Sequence, residues 1–187
     1  TRESSLPGLA AWARVRDYRE RQIRLMPNVD IYFDSEVDAD QVLEFGFQHV
    51  GLATGARWRA DGVGRWHTHP MLVSTGMVVL TPDDLMDGFR PPGHVVIYDD
   101  DHFYIGGVLA ELLLSYGNSV TLVTPALRVS DWTVNTLEQE FIQRRLMKAG
   151  VSIRVTRSVE AVTPRGVRLA CTYSGQEEDV TCDAVVL

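Results

Sequence analysis

Between residues 94 and 155 the chain alternates strand-like and helix-like segments with short links, and no other feature restricts its fold as much. His94–Tyr98 is a run of apolar, β-branched residues. Ile105–Tyr116 has helical character and is closed by Gly117. Ser119–Thr124 is a second strand, Thr136–Ala149 a helix ending at Gly150, and Val151–Val155 a third strand. Strand, helix, strand with short connections is a right-handed parallel unit, so the expected class is α/β with a parallel sheet. After residue 155 the period changes. Val159–Val162, Val167–Tyr173 and Glu178–Cys182 alternate around Pro164-Arg165-Gly166 and Ser174-Gly175, the signals of hairpins. A small antiparallel meander is expected there, with Val185–Leu187 returning to a buried strand.

The first 75 residues read differently. Leu9–Met26 places Leu9, Trp12, Val15, Tyr18, Leu25 and Met26 at helical spacing, with Pro7-Gly8 before it and Pro27-Asn28 after it. The rest of that helix is basic, and a solvated face is the preferred reading over a docking surface for an acidic electron carrier. Val29–Phe33 is strand-like, Asp38 is a candidate cap for a short helix, and His49–Ala53 reads as a buried strand ending in Thr54-Gly55. Ala56–Gly76 is glycine-containing and aperiodic, an irregular crossing segment. Thr81-Pro82-Asp83-Asp84 supplies a cap, a proline for the first turn and acids at the positive end of a helix that closes near Arg90–Gly93. The expected division is residues 1–75, part of one domain, and 76–187, a nearly complete second one.

The link between the first strand and helix of the parallel unit carries the sharpest chemistry. In a Rossmann-like fold this turn is glycine-rich, so that backbone N–H groups and the helix N-terminus can hold a pyrophosphate. Here it reads Asp99-Asp100-Asp101, followed by Gly106-Gly107, and is about two residues longer than the G-x-G-x-x-G spacing. At ~4 Å and an effective dielectric near 20, each carboxylate–phosphate contact costs on the order of 4 kcal/mol before screening. The second strand ends Val123-Thr124-Pro125, without the acid that would hold a ribose. The turn is thus a degenerate dinucleotide turn. Consecutive carboxylates diverge, which disfavours a calcium loop, and the preferred reading is a capped, solvated start of the helix.

Other candidates are weaker. His67-Thr68-His69 has no placed third ligand and reads as a loop pair. Trp58, Trp66 and Trp132 read as half-buried packing. Cys171 and Cys182 are too far apart for a C-x-x-C pair; each reads as a small buried hydrophobe, and a reducing, cytoplasmic setting fits. No metal site, nucleophile elbow or phosphate loop is expected. A net charge of −7 argues against nucleic acid as a partner, and no apolar run approaches a membrane span. The N-terminus lacks Met and a signal core, and the chain stops inside the strand-like DAVVL; both ends read as cuts from a longer protein.

Two motifs together resemble a known family. One is HVGLATGARWR (residues 49–59), an apolar strand ending in A-T-G. The other is YDDDHFYIGGVLAELL (98–113) with VTLVTPALRVSDWTVNTLEQ (120–139). With LPGLAAWARVRDYRERQI and LTPDDLM, they resemble the C-terminal part of the trimethylamine dehydrogenase, histamine dehydrogenase and 2,4-dienoyl-CoA reductase group, over about Leu6 to Leu187. The resemblance implies an FAD/NAD(P)-binding fold: residues 1–75 would be a partial FAD/ADP-binding-like domain and 76–187 an NAD(P)-binding-like one. It implies a parent enzyme with an N-terminal β/α barrel, FMN and a [4Fe–4S] cluster outside this chain, a homodimeric state and an electron-transferring flavoprotein as partner. Ala53, Thr54, Gly55 and Arg57 would lie beside ADP or FAD. The acidic turn sets this chain nearer the amine dehydrogenases, in which the region supports the enzyme without catalysing. The alternative is the NAD(P)H-binding domain of a dienoyl-CoA or enoate reductase.

Overall fold

The computed structural model describes residues 2–187; Thr1, the first residue of the expected first domain, lies outside the described residues. The described chain forms two compact units, one of residues 11–57 and the other of residues 2–10 together with 58–187.

In the larger unit, five strands make a parallel sheet in the order β2 (Val78–Leu80), β9 (Ala184–Val186), β3 (His94–Tyr98), β4 (Ser119–Val123), β5 (Ser152–Arg154). Helices α3 (Pro82–Met86), α4 (Ile105–Ser115) and α5 (Gln139–Lys148) connect them. Because successive side chains of a strand face opposite ways, each strand feeds two cores. Val95 and Ile97 of β3, Val120 and Leu122 of β4, and Ala184 and Val186 of β9 pack with Leu109, Leu113 and Leu146 of the helices. Val96 and Tyr98, Val123 and Val185 point to the other face. There they meet Val159, Val162, Val167 and Leu169 of a second sheet, β1 (Leu72–Val73), β6 (Arg157–Thr163), β7 (Gly166–Cys171) and β8 (Glu177–Thr181). β6, β7 and β8 are the antiparallel meander; β1 adds to β6 in parallel. The central sheet is buried on both faces, which is why its strands are continuously apolar.

The alternation therefore folds as its sequence pattern predicts, with ends shifted by one to three residues. Thr81 caps α3, accepting from the Asp84 N–H, while Asp84 accepts from the Thr81 N–H in return. Gly117 ends α4 at φ +88°. Residues before 76 belong partly to this unit as well: Leu72–Val73 pairs with Ala161–Val162, so a boundary at residue 75 falls inside its hydrogen-bonded structure.

The smaller unit holds α1 (Ala13–Arg24) and α2 (Ala39–Glu44), the latter closed by a reciprocal Asp38–Gln41 capping box. Both helices were expected. The strands expected at 29–33 and 49–53 are absent, and those residues carry neither helix nor strand and are exposed; Leu52 is 85% exposed. A strand exists by pairing its backbone groups with a neighbour, and no described strand runs beside either segment. No residue from 11 to 57 is buried.

Candidate functional site

The crevice at the carboxyl ends of the strands is where an open α/β sheet binds its ligand. In this chain it is formed by the end of β3, the Asp turn, the start of α4 and Thr124 after β4. Asp99 leaves β3 with its N–H still donating to the Val123 carbonyl (2.8 Å), so it belongs to the sheet more than to the helix. Its side chain is 3% exposed. One carboxylate oxygen accepts from the His102 N–H (3.2 Å); the other is buried without a hydrogen-bond partner. Burial, reinforced by Asp101 and Asp100, pushes its carboxyl up to about 7, against the pull of the His102 and Asp101 N–H groups.

Gly106 explains why the carboxylate fits. A Cβ there would stand 2.7 Å from Asp99 Cγ, so the bare glycine backbone is the floor on which Asp99 lies. Gly107, beside it, lets α4 approach Ile142 and Leu146 of α5, where a Cβ would sit at 3.3–3.5 Å. Both glycines thus allow close packing, and the space beside Gly106 is taken by the Asp99 side chain.

Asp100 points the other way. Its Oδ2 accepts from two successive backbone N–H groups, those of Arg65 (2.6 Å) and Trp66 (2.8 Å). Its Oδ1 lies 3.5 Å from His102 Nε2. His102 adopts φ +64°, and its Nδ1 is 3.4 Å from Thr124 Oγ1. Desolvation holds the His102 imidazole below its ordinary value despite the Asp100 carboxylate. The Arg65 guanidinium stacks 4.1 Å over the Trp132 ring, against which Phe103 packs edge-on at 5.7 Å. His67 donates from Nε2 to the Val159 carbonyl (2.8 Å). Tyr98, beneath this cover, has a buried hydroxyl without a partner, and burial among Asp100, Glu160 and Asp99 raises its pKa.

The capped, solvated reading of the acidic turn is therefore corrected. The N-cap residue of α4 is Tyr104, whose side chain makes no capping hydrogen bond, and the helix's first turn holds no acid. The turn's extra length leaves Asp99 and Asp100 at the end of the strand, where one is buried and the other binds the chain's own backbone. The loop reading of His67 and His69 agrees with their contacts: His67 ties to β6, and Thr68 Oγ1 lies 2.9 Å from His69 Nδ1. Among the described residues no group of three His, Cys, Asp or Glu side chains is placed to hold a metal. The buried-hydrophobe reading of the cysteines fails in part. Cys171 is only partly covered and its thiol is lowered to about 7, chiefly by a hydrogen bond with Ser174. Cys182 is raised to about 11 by burial.

Ala53, Thr54, Gly55 and Arg57 lie in the smaller unit on an exposed segment without helix or strand, with Gly55 at φ +77°. Asp99–Asp101, Gly106 and Gly107 lie together in the larger unit. Sequence reasoning missed Arg65, Trp66 and His102 as partners of the turn. The one available signal was the glycine pair Gly62 and Gly64 in an otherwise aperiodic segment.

The fold defines a class: a Rossmann-like α/β scaffold with a parallel sheet, in which the turn after β3 is packed by the chain's own Asp99 and Asp100. Relatives narrow it further. No protein-family profile matches the chain. It is 30% identical over 158 residues to dimethylamine dehydrogenase of Hyphomicrobium sp. (strain x), covering 80% of this chain and 21% of that protein. The structure of histamine dehydrogenase from Rhizobium sp. 4-9 superposes with a TM-score of 0.94 at 50% identity, covering 99% of this chain and 29% of that one. That of 6-hydroxypseudooxynicotine amine oxidase from Pseudomonas geniculata N1 superposes with a TM-score of 0.90 at 42% identity, covering 100% and 28%. The chain belongs to the trimethylamine dehydrogenase and histamine dehydrogenase family, of whose members it spans between a fifth and a third of the length.

Proposed function

We propose that this chain is the C-terminal, nucleotide-binding-like region of a flavin-dependent amine dehydrogenase, and that it supports that enzyme without catalysing. The parent would carry FMN and a [4Fe–4S] cluster in a barrel preceding these residues, oxidise a C–N bond there, and pass electrons to a flavoprotein acceptor. Ala53–Gly55 and Arg57 would line ADP or FAD once the rest of that site is in place. The observation that carries this reading is the filled crevice, found in a chain 50% identical to a histamine dehydrogenase over 99% of its length. The residues at the turn do not fit a nicotinamide dinucleotide: Asp99 lies on the Gly106 backbone, and Asp100 is committed to Arg65 and Trp66. The region is one part of a larger protein, and none of its described helices is long and apolar enough to cross a membrane.

The test uses the full-length protein under anaerobic conditions. Addition of a small secondary or tertiary amine, or of histamine, is expected to bleach the flavin, and NADPH is expected to leave it oxidised. Rapid bleaching by NADPH would reject this assignment in favour of a dienoyl- or enoate-reductase-like enzyme.

A further inference from the structure

A dinucleotide crevice can be disabled by charge alone or by an occupant. In this chain the occupant is visible. Residues 62–71 cross the end of β3, and their fastenings all lie within one compact unit. Gly64 donates from its N–H to the His67 carbonyl (2.9 Å), closing a tight turn at the tip. Asp100 Oδ2 grips the N–H groups of the two residues inside that turn. Arg65 lies on Trp132, His67 is tied to β6, and the Met71 N–H donates to Asp61 (3.0 Å) at the base of the loop. Gly64 packs so tightly that a Cβ would collide with Asp100 Oδ2. A carboxylate accepting from two consecutive backbone amides makes the contact a phosphate would make in such a crevice, with donor and acceptor supplied by one chain.

We propose that residues 62–71 are a self-occluding strap, bolted by Asp100, that occupies the dinucleotide crevice and can open without unfolding the domain beneath it. This rests on the reading above only in taking the crevice as the place where a nicotinamide dinucleotide would lie in such a fold. Gly64, Arg65 and Trp66 are exposed, whereas Val95–Tyr98 of β3 and Ile105–Ala110 of α4 are buried, so the strap and the core are separable in stability.

Hydrogen exchange on the full-length protein tests it, with two variants that open the strap by different means. Asp100→Ala removes the bolt, and Gly64→Val pushes the strap away while keeping all three carboxylates. Each is expected to speed exchange of the Arg65 and Trp66 amides at least tenfold, with the amides of β3 and α4 as protected as in wild type. Asp101→Ala, which changes the turn's charge and not the bolt, is expected to leave both sets unchanged. Unchanged exchange at residues 65 and 66 in both opening variants would overturn the proposal, as would loss of protection in β3 and α4 along with the strap. NADPH bleaching of the wild-type flavin would reject the functional reading but not this one, if NADPH also speeded exchange at 65 and 66. Bleaching with the strap still protected would reject both.

Discussion

Asp99→Asn separates the burial of the turn's first carboxylate from its charge. Asp99 is 3% exposed, rests on Gly106, and has one oxygen without a partner. Its carboxyl is raised from the ordinary 3.8 to about 7, chiefly by desolvation. A carboxyl raised in the folded state binds its proton more tightly there than in the unfolded chain. Its contribution is therefore favourable at low pH, and stability is lost as pH climbs from about 4 through about 7. At about 1.36 kcal/mol per pH unit the full loss is about 4 kcal/mol, a ceiling that water entry and local relaxation reduce. About 3 kcal/mol of it falls between pH 5 and pH 8. The amide keeps the shape and the His102 contact but does not ionise. Urea unfolding of wild type and variant, followed by far-ultraviolet circular dichroism at several pH values, reads the difference directly. The variant is expected to gain on wild type by about 2–3 kcal/mol from pH 5 to pH 8, whatever constant offset the buried amide introduces. Parallel stability curves over that range would refute the account, because they would mean that Asp99 ionises freely where it lies.

Three further outcomes follow from the packing. Leu113→Ala and Leu146→Ala, both fully buried between α4, α5 and the sheet, should each cost about 2–5 kcal/mol in the same urea assay. Gly166→Ala should unpair β7 from β8, because the new Cβ would strike the Val180 carbonyl oxygen; lost amide protection in the meander is the readout, with β3–β4 retained. At neutral pH iodoacetamide should label Cys171 well before Cys182, since their thiols sit near 7 and 11; peptide mass spectrometry gives the order, and equal labelling would contradict it.

Local pattern was enough for the parallel unit and the meander. An apolar β-branched run such as Val95-Val96-Ile97 suits a strand buried on both faces, and Thr81, Asp38 and Gly117 announce helix ends through hydrogen bonds or backbone angles that need only near neighbours. The 98–113 and 49–59 motifs also sufficed for the family. His49–Ala53 shows where such reading stops. Its residues suit a strand, but a strand is completed by a neighbour's backbone, and none of the described strands supplies one.

The acidic turn marks the same division within the site. That three carboxylates conflict with a bound diphosphate follows from their charge and their place after a strand. What becomes of them could be decided only in three dimensions. Asp99 and Gly106 are seven positions apart and meet because the turn folds back on itself. Asp100 and Arg65 are 35 apart and meet because a loop from the far side of the chain crosses the end of β3. Burial, and with it the state of a carboxyl, is a property of everything packed around a group, so neither could be counted along the chain.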